Sequence, residues 1–537
     1  MIPLPPGTGI VPDPSLRRYA GGRVLIGGRP ARMVTLTPAG VTALGRLEAG
    51  PSPDLDGAAL ELGRRLVDAG MAHPRWPADE AVSADEVVVA RRVTVVVPAR
   101  GRPERLARCL ASIGQTLAVL VVDDGSPDPT EMAAVCRAHG AALLRRPHQG
   151  GPGAARNSGI ATTTTELVAF LDSDCEASPG WLHGLAAALR DPLVGAAAPR
   201  IAPGPLVAGT PAHHTGPLAL PTGRSAGAYA AGRSPLDLGR VESEVGPGRR
   251  VTYVPTAALL VRRAAFVQPP PGSPMGRGAG VFDEALRYGE DVDFVWRLVE
   301  AGWHVRYDPA VVVHHAEPTT WPALLSRRYH YGTSAGPLAR RHPGSLVPLE
   351  VDPVTATVAT SALTGRWVTA TALLVARTLR LSGGSGSSEP RAPRGPGGRR
   401  VPSSLWWSVS GTASSLGGLG RWAATCGWPV LVPLAMARWR RRPGHGPAQL
   451  GVPAVRSRRS RRRAARARAL AVVVLAAPRL AEWRRVRPAL DPLRWVVGSV
   501  VDDMAYGAGV WAGSVRARTV EPLAPRFRRS VSGSRPA

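Results

Sequence analysis

The sequence predicts an α/β protein built on a parallel sheet, with smaller units before and after it. Three observations carry that prediction. Short apolar runs alternate with stretches of helical spacing between residues 92 and 172: RVTVVVP (92–98), AVLVVD (118–123), AALLRR (141–146) and ELVAFLD (166–172). Strands separated by helices of this length need right-handed crossovers, which pair them in parallel. Two of the runs end in carboxylates, at Asp123 and Asp124 and at Asp172 and Asp174, and ligands of open α/β sheets gather at the carboxyl ends of strands. The composition also shifts near residue 78 and again near residue 345, which marks flanking units.

Residues 1–14 are proline-rich and read as a flexible lead, with no basic and apolar segments of a secretory signal. Residues 15–77 form a small domain. VLIGG and ARMVTLT are two short strands joined by a Gly-Gly turn, Thr37-Pro38 opens a helix, and Leu55–Ala69 supplies a second. This order resembles the winged-helix peptide-recognition domain that accompanies ribosomally made, modified peptides; a generic helical preface is the alternative. Residues 78–90 are an acidic, alanine-rich linker, and 91–345 hold the α/β domain. Its helices are expected at 103–113, Pro129–His139 and from Pro152. A second block follows with strand VTYVPTAALLVRR, a helix at 289–301 and strand HVRYDPAVVVHH.

Residues 346–537 are apolar but studded with arginine. A Gly/Ser/Pro/Arg linker occupies 382–400, and eight arginines fall within 456–468. No stretch is a clean charge-free span of about 20 residues. Tryptophans at the ends of apolar runs beside arginine clusters point to helices at or partly in a membrane, with an ordinary helical domain as the alternative.

At 537 residues the chain is too long for one core. Its net charge is +28, and every basic residue is arginine. Abundant Ala, Arg, Gly and Pro mark a compositional bias that accounts for part of the excess; the remainder reads as attraction to anionic surfaces. Four scattered cysteines, with no CxxC pair, argue against a zinc site or disulfide scaffold and fit a reducing cytosol. The run RSRRSRRRAARAR has few aromatics and adjoins apolar segments, so an arginine-rich nucleic-acid binder is the weaker reading and no nucleic acid is expected.

The strand ends line Pro98, Arg100, Asp123, Asp124, Asp172 and Asp174 along one edge of the sheet. Asp172 and Asp174, one residue apart, suit a hard divalent cation that also grips a diphosphate. Cys175 beside them reads as a small filler. QGGPGAARNSG (149–159) opens a helix through a glycine-rich turn able to approach a ligand, with Arg156 one turn inside. A structural role for Arg156 pairs it with Asp123 or Asp124. In GEDVDFVWRL, Asp291 lies among other acids, and crowding raises a carboxylate's pKa and makes it a better base. Helix capping accounts for one acid there, not for the several between Asp283 and Asp293.

VVVPARGRPERLARCL, VVDDGS, GPGAARNSGI, FLDSD and GEDVDFVWRLVEAGW occur in the order that resembles family 2 glycosyltransferases of the GT-A fold, over about residues 91–320. The resemblance implies that Asp123 or Asp124 contacts the uracil ring, with Arg156 beside the base and Pro98 and Arg100 in the nucleotide-sugar site. It implies that Asp172 and Asp174 hold a divalent metal (Mn²⁺ or Mg²⁺) and the diphosphate, that Asp291 is the base of an inverting reaction with Glu290 as neighbour, and that His315 completes the metal shell. Gly101 stands where the family commonly has Asn, which puts some contacts near Arg100 in doubt. VTYVPTAALLVRR and RRYHYGTSAGPLARRHPG (327–344) look like the mycofactocin-system glycosyltransferases. That resemblance implies transfer of glucose from UDP-glucose onto a redox cofactor derived from a ribosomal peptide, repeated into a short glucan, at the cytoplasmic face of the membrane. Arg328 and Tyr331 are then acceptor-binding candidates, against a plain structural helix. A transferase for a cell-envelope or lipid-linked acceptor is the nearest alternative. A non-catalytic sugar-nucleotide binder is disfavoured because every acid the chemistry needs is present.

Overall fold

The N-terminal residues form a mixed subdomain: β1 (Gly9–Pro12), β2 (Arg17–Tyr19), β3 (Val24–Gly27), β4 (Arg32–Thr35), α1 (Pro38–Glu48), α2 (Gly57–Asp68) and β5 (Ala72–Arg75). Side chains of Thr37 and Asp56 cap α1 and α2 by accepting N–H groups of Gly40 and Ala59. The computed structural model describes residues 2–77, 90–204, 223–271, 280–347 and 475–527, with parts of 350–376 and 418–430. The linker at 78–90, apart from its last residue, the one at 382–400 and the arginine run lie outside them.

The reading of residues 1–14 as a flexible lead is corrected. β1 pairs antiparallel with β5, and Leu4 and Ile10 are buried in the core with Leu25, Leu47 and Leu66. Two apolar side chains among the prolines are enough to bury the segment, because Pro is tolerated at a strand edge. A polar interface joins this subdomain to the sheet that follows. Arg64 of α2 and Asp191, both almost fully buried, pair at 2.8 Å. Asp13 accepts from Arg250 at 2.8 Å, while Glu242 accepts from both Arg75 and Arg306.

The main sheet holds β6 (Val93–Ala99), β7 (Ala118–Asp124), β8 (Ala142–Arg146), β9 (Leu167–Leu171), β10 (Cys175–Ala177), β11 (Val194–Pro203), β12 (Ser243–Glu244), β13 (Ala258–Arg262) and β14 (His304–His315). Its order is β10-β14-β11-β13-β9-β6-β7-β8, with β12 on β14. Between the strands run α3 (Pro103–Ile113), α4 (Pro129–Ala138), α5 (Pro152–Thr162), α6 (Trp181–Ala188) and α7 (Glu290–Glu300). β6 and β9 are buried at every residue, as apolar strands covered on both faces must be.

The parallel sheet expected from the sequence covers only part of this. β8, β7, β6 and β9 run parallel, but β13 is antiparallel to both β9 and β11, and β10 is antiparallel to β14. Regular strand-helix alternation stops at Asp172, where β10 follows β9 after a turn, so no crossover helix enforces parallel pairing there. The sheet is mixed, within the same α/β class.

In the second unit, α8 (Trp321–Thr333) and α9 (Ala335–Arg341) pack on the long helix α10 (Pro492–Ala517), with the short helix Gly223–Gly232 beside them. The crossing is backbone-close. A Cβ on Gly509 would lie 2.0 Å from the Tyr329 carbonyl oxygen, and one on Gly332 2.2 Å from that of Tyr506. Asp502, buried on α10, accepts from Arg328 Nε at 2.6 Å and from the Tyr229 hydroxyl at 3.0 Å. Among the described residues no helix is long and apolar enough to cross a membrane.

Candidate active site

The carboxyl ends of β6, β7 and β9 bring the predicted acids to one edge of the sheet. Asp123 and Asp124 do not stand free there. Parallel pairing sets Asp123 opposite Arg145 and Asp124 opposite Arg146. Asp123 is fully buried, accepting from Arg145 at 2.8 Å and from the Ser126 N–H at 2.9 Å. Asp124 accepts from Arg146 at 3.0 Å and from the N–H groups of Gly150 and Gly151. The glycine-rich turn before α5 therefore closes on Asp124. A Cβ on Gly150 would lie 2.4 Å from the Arg146 guanidinium and 2.8 Å from the Ala154 Cβ. At the end of β6, Pro98 is buried and Arg100 exposed. Gly101 takes φ +61° and donates its N–H to Ser126 Oγ at 2.8 Å.

Arg156 is where the sequence reading needs correction. It pairs with neither Asp123 nor Asp124, whose partners are the arginines of β8. It spans two other acids: Nη2 donates to Asp172 at 2.7 Å and Nη1 to Glu290 at 2.9 Å. One buried guanidinium thus joins the β9 end to the start of α7. Burial disfavours the Arg156 charge, but Asp172 and Glu290 outweigh it and hold its pKa above the ordinary range. Phe282 lies against the same guanidinium, 5.6 Å from ring centre to Cζ.

The acids of α7 divide into two kinds. Glu290 is buried and tied to Arg156; burial, then the neighbouring Asp291 charge, push its pKa up to about 7. Asp291 is half-buried and makes no ion pair among the described residues. Its carboxylate accepts the Val292 N–H at 2.8 Å, and burial raises its pKa above the usual carboxylate range, with the Asp172 charge adding to the rise. Asp293 turns inward to Arg297 at 2.8 Å. Asn157 clamps the approach to this motif, its side-chain amide bonding both the N–H and the carbonyl of Phe282 at 2.9 Å.

Asp174 and His315 meet because β10 pairs with β14, Cys175 opposite His315. Asp174 Oδ1 lies 3.6 Å from His315 Nε2, and Asp174 Oδ2 lies 3.6 Å from Arg105. The first gap exceeds a hydrogen bond. The carboxylates are hard donors of the kind that suit Mn²⁺ or Mg²⁺, whereas an imidazole is a softer ligand. Among the described residues no group of three or more His, Cys, Asp or Glu side chains is placed to hold a metal ion, so the expected set of Asp172, Asp174 and His315 is not assembled as one: Asp174 and His315 meet, while Asp172 is turned to Arg156. Asp172, its pKa raised chiefly by burial, keeps one oxygen on Arg156.

Residues 94–232 match the family described as Glycosyl transferase family 2. The chain is 36% identical over 540 residues to the pre-mycofactocin glycosyltransferase of Mycobacterium tuberculosis, covering 98% of this chain and 99% of that one. The chain is a family 2 glycosyltransferase. Its mixed sheet and flanking helices are those of the GT-A class. A second relative is the N-acetylglucosaminyl-diphospho-decaprenol L-rhamnosyltransferase of the same organism, 33% identical over 262 residues, or 44% of this chain and 81% of its own. Among solved structures, the mannosyltransferase PcManGT from Pyrobaculum calidifontis in complex with GDP-Man and Mn²⁺ aligns over 60% of this chain and 80% of its own. Its identity is 18% and its TM-score 0.33.

The two acceptor-side candidates of this glycosyltransferase both lie on α8, in the helical unit. Arg328 is engaged with Asp502 and lies over the Tyr506 ring at 5.1 Å, inside the helical unit. Tyr331 is half-buried on the same helix, its carbonyl accepting from Ser334. The packing of α8 on α10 accounts for Arg328 as a structural residue. Sequence reasoning missed Arg105, Arg145, Arg146 and Glu317. A matched pair of strand ends, Asp-Asp on one run and Arg-Arg on the next, was the available signal for two of them.

Proposed function

We propose that this glycosyltransferase is inverting and metal-dependent, moving glucose from UDP-glucose onto a redox cofactor derived from a ribosomal peptide and building a short oligosaccharide. The near full-length similarity to a pre-mycofactocin glycosyltransferase supports the acceptor class. The observation that carries the mechanism is the Asp172–Arg156–Glu290 bridge with Asp291 unpaired beside it.

Asp291 takes the acceptor hydroxyl's proton as that oxygen attacks the anomeric carbon opposite the leaving diphosphate. Arg156 keeps Glu290 in place beside Asp291, and the Glu290 charge resists ionisation of the pair until near neutral pH. Asp172, Asp174 and His315 would hold the divalent cation, which when bound supplies positive charge against the leaving diphosphate. Asp123 and Asp124 order the loops that receive the base, with Pro98 and Arg100 at the nucleotide edge. Arg156 reaches the donor through Asp172. The C-terminal region holds the enzyme at the cytoplasmic face of the membrane, by peripheral or integral contact, a reading supported by its tryptophan and arginine content.

A second reading, transfer onto a lipid-linked acceptor, draws on the 33% identity to the decaprenol-linked rhamnosyltransferase. Incubating the full chain and Mn²⁺ with a panel of nucleotide sugars and either acceptor type separates the two. Hexose additions seen by mass on the peptide-derived acceptor support the first, and additions confined to the lipid-linked acceptor refute it.

A further inference from the structure

We propose that Glu317, itself steadied by Ser234, is the positioning residue that aims His315 Nε2 at the metal and diphosphate corner. This rests on the metal reading given above. His315 Nδ1 lies 3.2 Å from Glu317 Oε1. A carboxylate oxygen only accepts, so the hydrogen of a neutral ring sits on Nδ1 and Nε2 presents its lone pair. Nε2 faces Asp174 Oδ1 across 3.6 Å. Behind Glu317, the Ser234 hydroxyl donates to the same Oε1 at 2.5 Å, and Ser234 Oγ accepts the Leu236 N–H at 3.2 Å.

The backbone around the ring is fixed as well. The Ala316 N–H donates to the Asp174 carbonyl at 3.0 Å, and the His315 carbonyl accepts the Gly204 N–H at 2.8 Å. His315 and Glu317 are nearly fully buried, at 5% and 8% side-chain exposure, whereas Asp174 at 21% opens to the site. The ring therefore has one direction left for its second nitrogen. Partners behind a metal-binding histidine set its tautomer and orientation, and losing one typically costs about 10–100-fold in metal affinity.

The test reads metal binding, not turnover. Full-length protein with UDP is titrated with Mn²⁺, and free Mn²⁺ is followed by electron paramagnetic resonance. Glu317→Leu is expected to weaken Mn²⁺ by about 10–100-fold, with metal-free UDP binding and thermal midpoint close to wild type. Glu317→Gln, which keeps an oxygen acceptor for Nδ1–H, is expected to lose less than Glu317→Leu, and Ser234→Ala less again. Should Glu317→Leu fail to fold, the Gln and Ala variants carry the comparison, and wild-type Mn²⁺ affinity in both overturns the proposal. Unchanged affinity in a folded Glu317→Leu, with loss in His315→Ala, overturns the positioning role alone. Wild-type protein that holds no Mn²⁺ with UDP, or His315→Ala that holds it undiminished, overturns the metal reading and the proposal with it.

Discussion

Replacing Asp291 with Asn should abolish most turnover while making the protein more stable at alkaline pH. The two effects share one cause. Glu290 titrates near 7 instead of its ordinary 4.5, first because it is buried and next because Asp291 is charged beside it. An acid whose pKa is raised by folding binds its proton more tightly in the native state, so its contribution to stability is complete below about pH 4.5 and is lost as pH rises toward 7. The rise in Glu290 corresponds to about 3 kcal/mol by pH 8. Burial accounts for the larger part, so removing the Asp291 charge recovers on the order of 1 kcal/mol, or a few degrees in thermal midpoint. Asn retains an oxygen for the Val292 N–H, so the backbone contact survives. Loss of a general base lowers kcat by about 10²–10⁴-fold, equivalent to about 3–5 kcal/mol of barrier. The assay pairs kcat with thermal midpoints at pH 5 and pH 8. The expected result is a collapsed kcat, little change in midpoint at pH 5 and an increase at pH 8. Full activity in the variant refutes the base assignment, and a lower midpoint at pH 8 refutes the crowding argument.

Wild-type kcat/KM should rise with pH and level off above about 7, because the Glu290–Asp291 pair must ionise; a flat profile from pH 5.5 to 8, measured at saturating metal, contradicts this. Arg156→Ala leaves buried Glu290 and half-buried Asp172 without their shared partner, and urea unfolding should register a loss of about 3 kcal/mol. Arg156→Lys recovers little of it, since one ammonium cannot reach two acids in the way a planar fork does. Arg64→Ala strands Asp191 under the N-terminal subdomain; limited proteolysis should then cut within residues 2–77 sooner than in wild type, and equal protection would count against the buried interface. In the helical unit, Gly509→Ala drives a methyl into the Tyr329 carbonyl, and the midpoint should drop by an amount equivalent to about 1–3 kcal/mol or more.

What the sequence could reveal follows the range of the interaction. Helix α3 occupies 103–113, and the β6, β7 and β9 segments match their apolar runs, because period and punctuation are local signals. The segment Gly9–Pro12 hid its strand behind proline, and only its partner 63 residues on, Ala72–Arg75, makes it one. Antiparallel β13 was equally hidden, because its run reads alike in either direction. At the site, the acids were legible by type and order, but their partners were not. Arg156 finds Glu290 at a separation of 134 residues, and Arg328 finds Asp502 at 174. Charge pairs across such distances leave no spacing in the chain.

The central claim is that Asp291, a carboxylate with no ion pair among the described residues, drives attack from the face opposite the departing diphosphate. The configuration of the newly formed glycosidic bond tests it most directly. With UDP-α-glucose as donor and the peptide-derived acceptor, nuclear magnetic resonance of the first product should show a β linkage. An α linkage would contradict the account.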